Sequence, residues 1–242
     1  MTERDLEPLP PLLQRYLRRA GVLGKPRVLG FRARFHGRFR QGLDGRWMAF
    51  RSEQRNFLAP SARLFLMRAS LFGLPIDGYH DFVGAHARFR VRVFSLLDVV
   101  DGRGPQMNRS ETVTILNDLC VLAPAALIEA PVRWTTIAAH ALRGVYTRGD
   151  QTIAAVLTFD AQGDLVDFVS EDRSYSADGK TFRRLAWSTP LRGHRDFAGL
   201  RLPERGDAIW KTPEGDFVYG EFNLDELEYF PSARGAKASP GR

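Results

Sequence analysis

The chain has 242 residues, 44% hydrophobic and 26% charged, with one cysteine and a net charge of +7. That composition supplies ample apolar material for a core and excludes an internal disulfide, a cysteine-based zinc cage and a wholly disordered chain. Residues 1–110 carry 20 Lys/Arg against 9 Asp/Glu, whereas residues 111–242 carry 15 against 19, so the basic excess lies in the first half.

Only four of the basic residues are lysine (Lys25, Lys180, Lys211, Lys237), a ratio that codon bias in a GC-rich genome produces. A solvated basic face is the simpler reading of the charge, and nucleic acid is not an expected partner. The charged start, Met1-Thr-Glu-Arg-Asp-Leu-Glu-Pro, has no apolar stretch of a secretory signal. The longest apolar run, Leu119–Ile128, contains Pro124 and is too short to span a bilayer. The expectation is a soluble, cytoplasmic protein.

In chain order, Pro8 and Pro11 lead into a helix at 12–20, with Leu13, Tyr16, Leu17 and Ala20 on one face and Gly21 as its stop. The period then changes to two. Leu29, Phe31, Ala33, Phe35 and Phe39 alternate with Arg32, Arg34, His36, Arg38 and Arg40, a long half-buried strand with a bulge expected at Gly37. Segments 46–57 and 63–72 read as further strands, the second apolar on both faces and so expected to be covered on both sides. The alternation returns at 88–93, with Arg88, Arg90 and Arg92 on one side.

Residues 110–129 lack that alternation and fit helical spacing. Glu111, Thr114 and Asp118 share one face, Ile115, Leu119 and Leu122 another, and Pro124 ends this helix and opens a short second one. After it, Asp/Gly/Pro-rich breaks at 160–163, 176–180 and 212–216 separate strands at 153–159, 165–170, 182–187, 208–210 and 217–222. This cadence predicts an antiparallel meander, not βαβ units. The fold class is therefore α+β, mainly antiparallel β: a curved sheet or half-barrel with an N-terminal helix and a mid-chain helical lid. One domain is expected over 1–230, followed by an unstructured tail at 231–242.

Motif chemistry is sparse. The five histidines are scattered, and Tyr79-His80-Asp81 near His86 reads as a turn with incidental polar residues. Cys120, among Leu119, Val121 and Leu122, is expected to be buried and inert. There is no GxSxG elbow, Walker loop or GxGxxG motif. Glu171-Asp172 beside Arg173 fits either a surface ion-pair cluster or an acid/base centre. Asn117-Asp118 inside an apolar helix demands polar partners, with Arg109, Arg133 and Arg173 as candidates. Trp134, Trp187 and Trp210 stand near strand ends or turns, where indoles seal a core or line a ligand cup.

Arg15-Tyr-Leu17 near Gly21, Asn117-Asp118 followed by Ala123-Pro-Ala-Ala-Leu127 and Trp134, then Phe159-Asp-Ala-Gln-Gly163, Asp172-Arg173, Trp187 and Trp210 together resemble a family of bacterial proteins of unknown function. The resemblance covers about residues 10–229 and implies no activity. The order of helix, strands, helices and strands also looks like the half-barrel of lipoprotein carriers such as the lipoprotein localisation factor, in which a curved sheet forms an apolar cup lidded by helices.

Three readings of function follow. The first is a non-catalytic binder of an apolar, lipid-like or amphiphilic small molecule, with Glu111, Asn117, Asp118, Trp134, Arg173, Trp187 and Trp210 as ligand-binding residues and no metal or cofactor. The second is an enzyme using Glu111, Asp118, Glu171 and Asp172 with Arg173. The third is a polyanion or peripheral membrane-surface binder, in which the arginine strands 32–40 and 88–92 lie side by side.

Overall fold

The structure, a computed structural model, describes residues 1–71, 73–94, 96–176 and 180–231. The expected tail after 231 and residues 177–179 of one predicted break lie outside the described residues. Two helices open the chain, α1 (Glu3–Leu6) and α2 (Pro11–Ala20). Leu13, Tyr16, Leu17 and Ala20 of α2 are buried as their spacing requires, and Gly21 caps the helix in the left-handed conformation at φ 83°.

Six strands then form a meander: β1 (Val28–Phe39), β2 (Met48–Leu58), β3 (Ser61–Leu71), β4 (Leu74–Val83), β5 (His86–Val93) and β6 (Leu97–Arg103). The helix α3 (Pro105–Leu122) and a 3-10 turn at Pro124–Ile128 follow. The second half adds β7 (Val132–Ala138), β8 (Ala141–Arg148), β9 (Gln151–Phe159), β10 (Leu165–Ser170), β11 (Ser174–Tyr175), β12 (Arg183–Arg184), β13 (Ala186–Ser188), β14 (Leu191–Phe197), β15 (Leu200–Thr212) and β16 (Gly215–Pro231).

Apart from the small β11–β12 pair, these strands make one antiparallel sheet in the order β6-β5-β4-β3-β2-β1-β16-β15-β13-β10-β9-β8-β7, with β14 on β15. The two meanders meet at the seam of β1 and β16, leaving β6 and β7 as the outer edges. α3 carries the chain from one edge to the other. It packs against β5 and β6 of the first half and against β9, β10 and β15 of the second, so the sheet curls round it as an open half-barrel. Because protein surrounds it, α3 is buried on nearly every side, from Met107 to Leu122. Tyr16 Oη donates to the Cys120 carbonyl at 2.6 Å, and Tyr229 Oη donates to that of Leu122, tying the C-terminal end of α3 to α2 and to the seam. No helix among the described residues is long and apolar enough to cross a membrane.

Several expectations need correcting. Gly37 keeps regular register with both neighbours, and the irregularities on the β16 side fall at Val28/Gly30 and Arg34/Phe35. Glycine is needed at 37 for another reason: a Cβ there would collide with the Glu221 carbonyl and the Phe50 ring. Tyr79-His80-Asp81 is not a turn but the middle of β4, a strand half-hidden by its polar residues. The predicted strand at 182–187 is two short ones, β12 and β13.

The arginine strands β1 and β5 are not neighbours, since β2, β3 and β4 lie between them. Their charges are also largely spoken for. Arg32 pairs with Glu228, Arg34 with Glu53 and Glu226, Arg38 with Glu221, Arg88 with Asp101 and Arg92 with Asp98. The cluster that adjacency of these two strands would have made does not form.

Candidate functional site

Between α3 and the concave face of the sheet lies a cavity of about 490 Å³. Its walls follow from strand alternation: inward positions such as Phe65 and Met67 of β3 and Phe89, Val91 and Val93 of β5 face it, while Leu64 and Leu66 sit half-buried on the outside. β15 and β16 add an aromatic wall. There the indole of Trp210 stacks on Tyr219 at 5.9 Å, and Trp187 Nε1 donates to Tyr219 Oη at 3.0 Å. The cavity reaches Phe39, Gln41, Gly42 and Met48 at the β1–β2 turn. The β3–β4 and β5–β6 turns stand at the same end of the sheet by strand register. Leu43, Leu74, Phe94, Leu96, Leu97 and Val99 are exposed around these turns, Leu96 to 81%.

The opposite end of the cavity is polar. β2 presents Ser52, Gln54 and Asn56 inward, between the outward Arg51, Glu53 and Arg55, and all three inward side chains are buried. Asp118 of α3 is the hub. Its Oδ2 accepts from Gln54 Nε2 at 2.7 Å, Asn56 Nδ2 at 2.9 Å and Arg63 Nε at 2.7 Å. Arg63 also donates through Nη1 to Glu111 Oε2 at 3.2 Å. These bonds make the buried charges tolerable. Burial alone would push the Glu111 carboxyl up, but His80, Arg63 and Arg173 around it hold it well below the usual carboxylate range.

Glu111 Oε1 lies 3.4 Å from His80 Nδ1 and 3.5 Å from an Arg173 Nη2, near enough for attraction but not aligned as hydrogen bonds. The Arg173 guanidinium rests on two indoles, 4.3 Å from the Trp187 ring and 5.6 Å from that of Trp210. The His80 ring lies 4.0 Å from that of Phe89.

Of the residues singled out from sequence, Glu111, Asn117, Asp118, Arg173, Trp187 and Trp210 all line this cavity. Asn117 finds Thr189 Oγ1 at 2.8 Å. Asp118 takes Arg63 as its cation, not Arg109 or Arg133. Trp134 stands apart, on the edge strand β7, with its ring packed over Gly144 of β8. The four candidate acids do not converge. Asp172 pairs with Arg109 at 2.6 Å and with Arg184, and Glu171 is exposed. Glu111 and Asp118 do share the cavity, yet both are bound to Arg63, and the Glu111 carboxyl, held below the usual range, is a poor general acid.

Sequence reasoning missed Arg63, Gln54 and Asn56 and misplaced His80. A signal was present: Ser52, Gln54 and Asn56 alternate with charged residues, so β2 is polar on both faces, and a polar inward face implies buried partners. Cys120 is buried, and burial pushes its thiol up, as befits an inert side chain.

Over residues 1–222 the chain matches the Family of unknown function (DUF6544), and it belongs to that family. No curated protein matches it. Among solved structures it is similar to a DUF1329 family protein from Desulfovibrio piger, at 10% identity and a TM-score of 0.49, over 90% of this chain and 91% of that one. It is also similar to a LolA superfamily protein from Nitrosomonas europaea, at 12% identity and a TM-score of 0.45, over 92% and 95% of the two chains. At such identities the reading of the cavity rests on its own residues.

Proposed function

We propose that this protein is a non-catalytic binding protein that holds an amphiphilic small molecule between α3 and the curved sheet. The observation that carries the reading is the cavity itself: about 490 Å³, walled largely by apolar and aromatic side chains, with a buried polar cluster around Glu111 and Asp118. That volume lies within the range of small-molecule sites, which run from about 300 to 1,000 Å³ and combine apolar walls with few, placed polar groups. A core meant only for packing closes to near-crystalline density and leaves no such space. The exposed apolar turns beside the cavity suit contact with a lipid surface from which a ligand is taken.

The test is extraction of the purified protein with organic solvent, followed by mass spectrometry, and titration with a fluorescent amphiphile such as 1-anilinonaphthalene-8-sulfonate. A stoichiometric bound amphiphile, or saturable probe binding competed by alkyl compounds, supports the reading. Neither would mean that the cavity is not a binding site.

A further inference from the structure

The polar end of the cavity is balanced in charge but incomplete in hydrogen bonding. With the His80 imidazole neutral, the two positive charges of Arg63 and Arg173 are matched by the two carboxylates of Glu111 and Asp118. Yet three of the six buried side-chain polar atoms without a partner among the described residues belong to this one cluster: Glu111 Oε1, His80 Nδ1 and Arg173 Nε. All three residues line the cavity, and the Glu111 side chain is only 1% exposed. Leaving such groups unpaired in a buried site is costly, so a cluster of them marks a place where a ligand completes the network.

The chemistry of that ligand can be read from what is missing. Glu111 Oε1 is an acceptor, Arg173 Nε is a donor, and His80 Nδ1 serves as either according to its tautomer. A carboxylate or phosphate would answer Arg173 but bring a second negative charge beside Glu111. An ammonium would answer Glu111 but bring a third positive charge beside Arg63 and Arg173. In an apolar enclosure an unbalanced charge is strongly disfavoured. A hydroxyl donates and accepts at once and leaves the balance intact.

We infer that the cavity takes a neutral, hydroxyl-bearing amphiphile, such as a long-chain alcohol or a monoacylglycerol, head first. Its hydroxyl donates to Glu111 and accepts from Arg173, and its chain runs along Phe65, Met67, Val91 and Val93 toward the β1–β2 turn. This rests on the proposed function above and narrows it.

The experiment compares three probes of equal chain length on the full chain at pH 8, below their aggregation limits: 1-dodecanol, laurate and dodecylammonium. Dodecanol is expected to bind at least about tenfold more tightly than either charged probe, a difference of about 1.4 kcal/mol. In Glu111→Gln the cluster becomes net positive, so the preference should move toward laurate by a similar factor. In Arg173→Gln, which removes the guanidinium from its long ion pair with Glu111 and from the two indoles, it should move toward dodecylammonium. The two opposite shifts are a signature that simple loosening of the fold does not produce. If laurate or dodecylammonium equals or exceeds dodecanol in the unaltered protein, the inference is overturned while the cavity remains a binding site. If none of the three binds, both readings fall.

Discussion

Arg63 is the residue on which the interior depends most. It is buried and joins two buried carboxylates two turns apart on α3, Asp118 at 2.7 Å and Glu111 at 3.2 Å. Removing one partner of a buried ion pair costs about 3–5 kcal/mol, since the other charge is left uncompensated. Arg63→Met should therefore lower unfolding free energy by about that amount, read from urea denaturation, and an unchanged midpoint would contradict the network. Glu111 makes a second prediction, in pH. Its folded carboxyl titrates below the ordinary value, so its stabilisation is complete above the unfolded value of about 4.3 and is lost as pH falls below it. Melting temperature should drop on acidification from pH 6 to 3, and the drop should be shallower in Glu111→Gln. The same steepness in both would deny Glu111 that role.

At the level of elements, α3 decides what the cavity can hold. Val121 lies on its cavity-facing side. Val121→Phe places extra volume in open space, so amphiphile binding should weaken about tenfold, a change of about 1.4 kcal/mol, while the melting temperature stays level or rises. Loss of both would point to strain instead. β1 offers a contrasting case at Gly37, where the facing Glu221 carbonyl and Phe50 ring leave no room. Gly37→Ala should destabilise the β1–β16 seam by about 1–3 kcal/mol in denaturation experiments, as overpacking does. Much of α3 was legible from its sequence, because Glu111, Thr114 and Asp118 are spaced to share a face and Pro124 must end the helix. The strand β4 was not, because Asp77, Tyr79, His80 and Asp81 obscure a period that only the pairing of β4 with β3 and β5 makes plain.

Across the whole molecule, the uneven charge of the two halves finds its reason at the seam. β1 sets Arg32, Arg34 and Arg38 against Glu228, Glu226 and Glu221 of β16, so the basic first half and the acidic end of the chain meet along one strand pair. Each exposed pair contributes little, but together they oppose wrong register and like-charge pairing. The exposed turns give a further test. Leu96→Asp with Leu97→Asp should reduce sedimentation with phosphatidylglycerol vesicles and slow uptake of an amphiphile from them, while binding from free solution is unchanged. Equal uptake from vesicles by both proteins would remove the lipid surface from the account.

By itself the sequence determined the local periods: a helix with one apolar face, strands with alternating faces, a buried apolar helix in mid-chain and sharp reversals at Asp, Gly and Pro. Those follow from side-chain size, polarity and backbone freedom within a few residues. Only the tertiary structure decided that β16 pairs with β1, that the sheet curls open around α3, and that Asp118 meets Gln54, Asn56 and Arg63. The strands β1 and β16 and the partners in that network lie far apart along the chain. Contacts of this kind are chosen by the packing of whole faces, which no local pattern records.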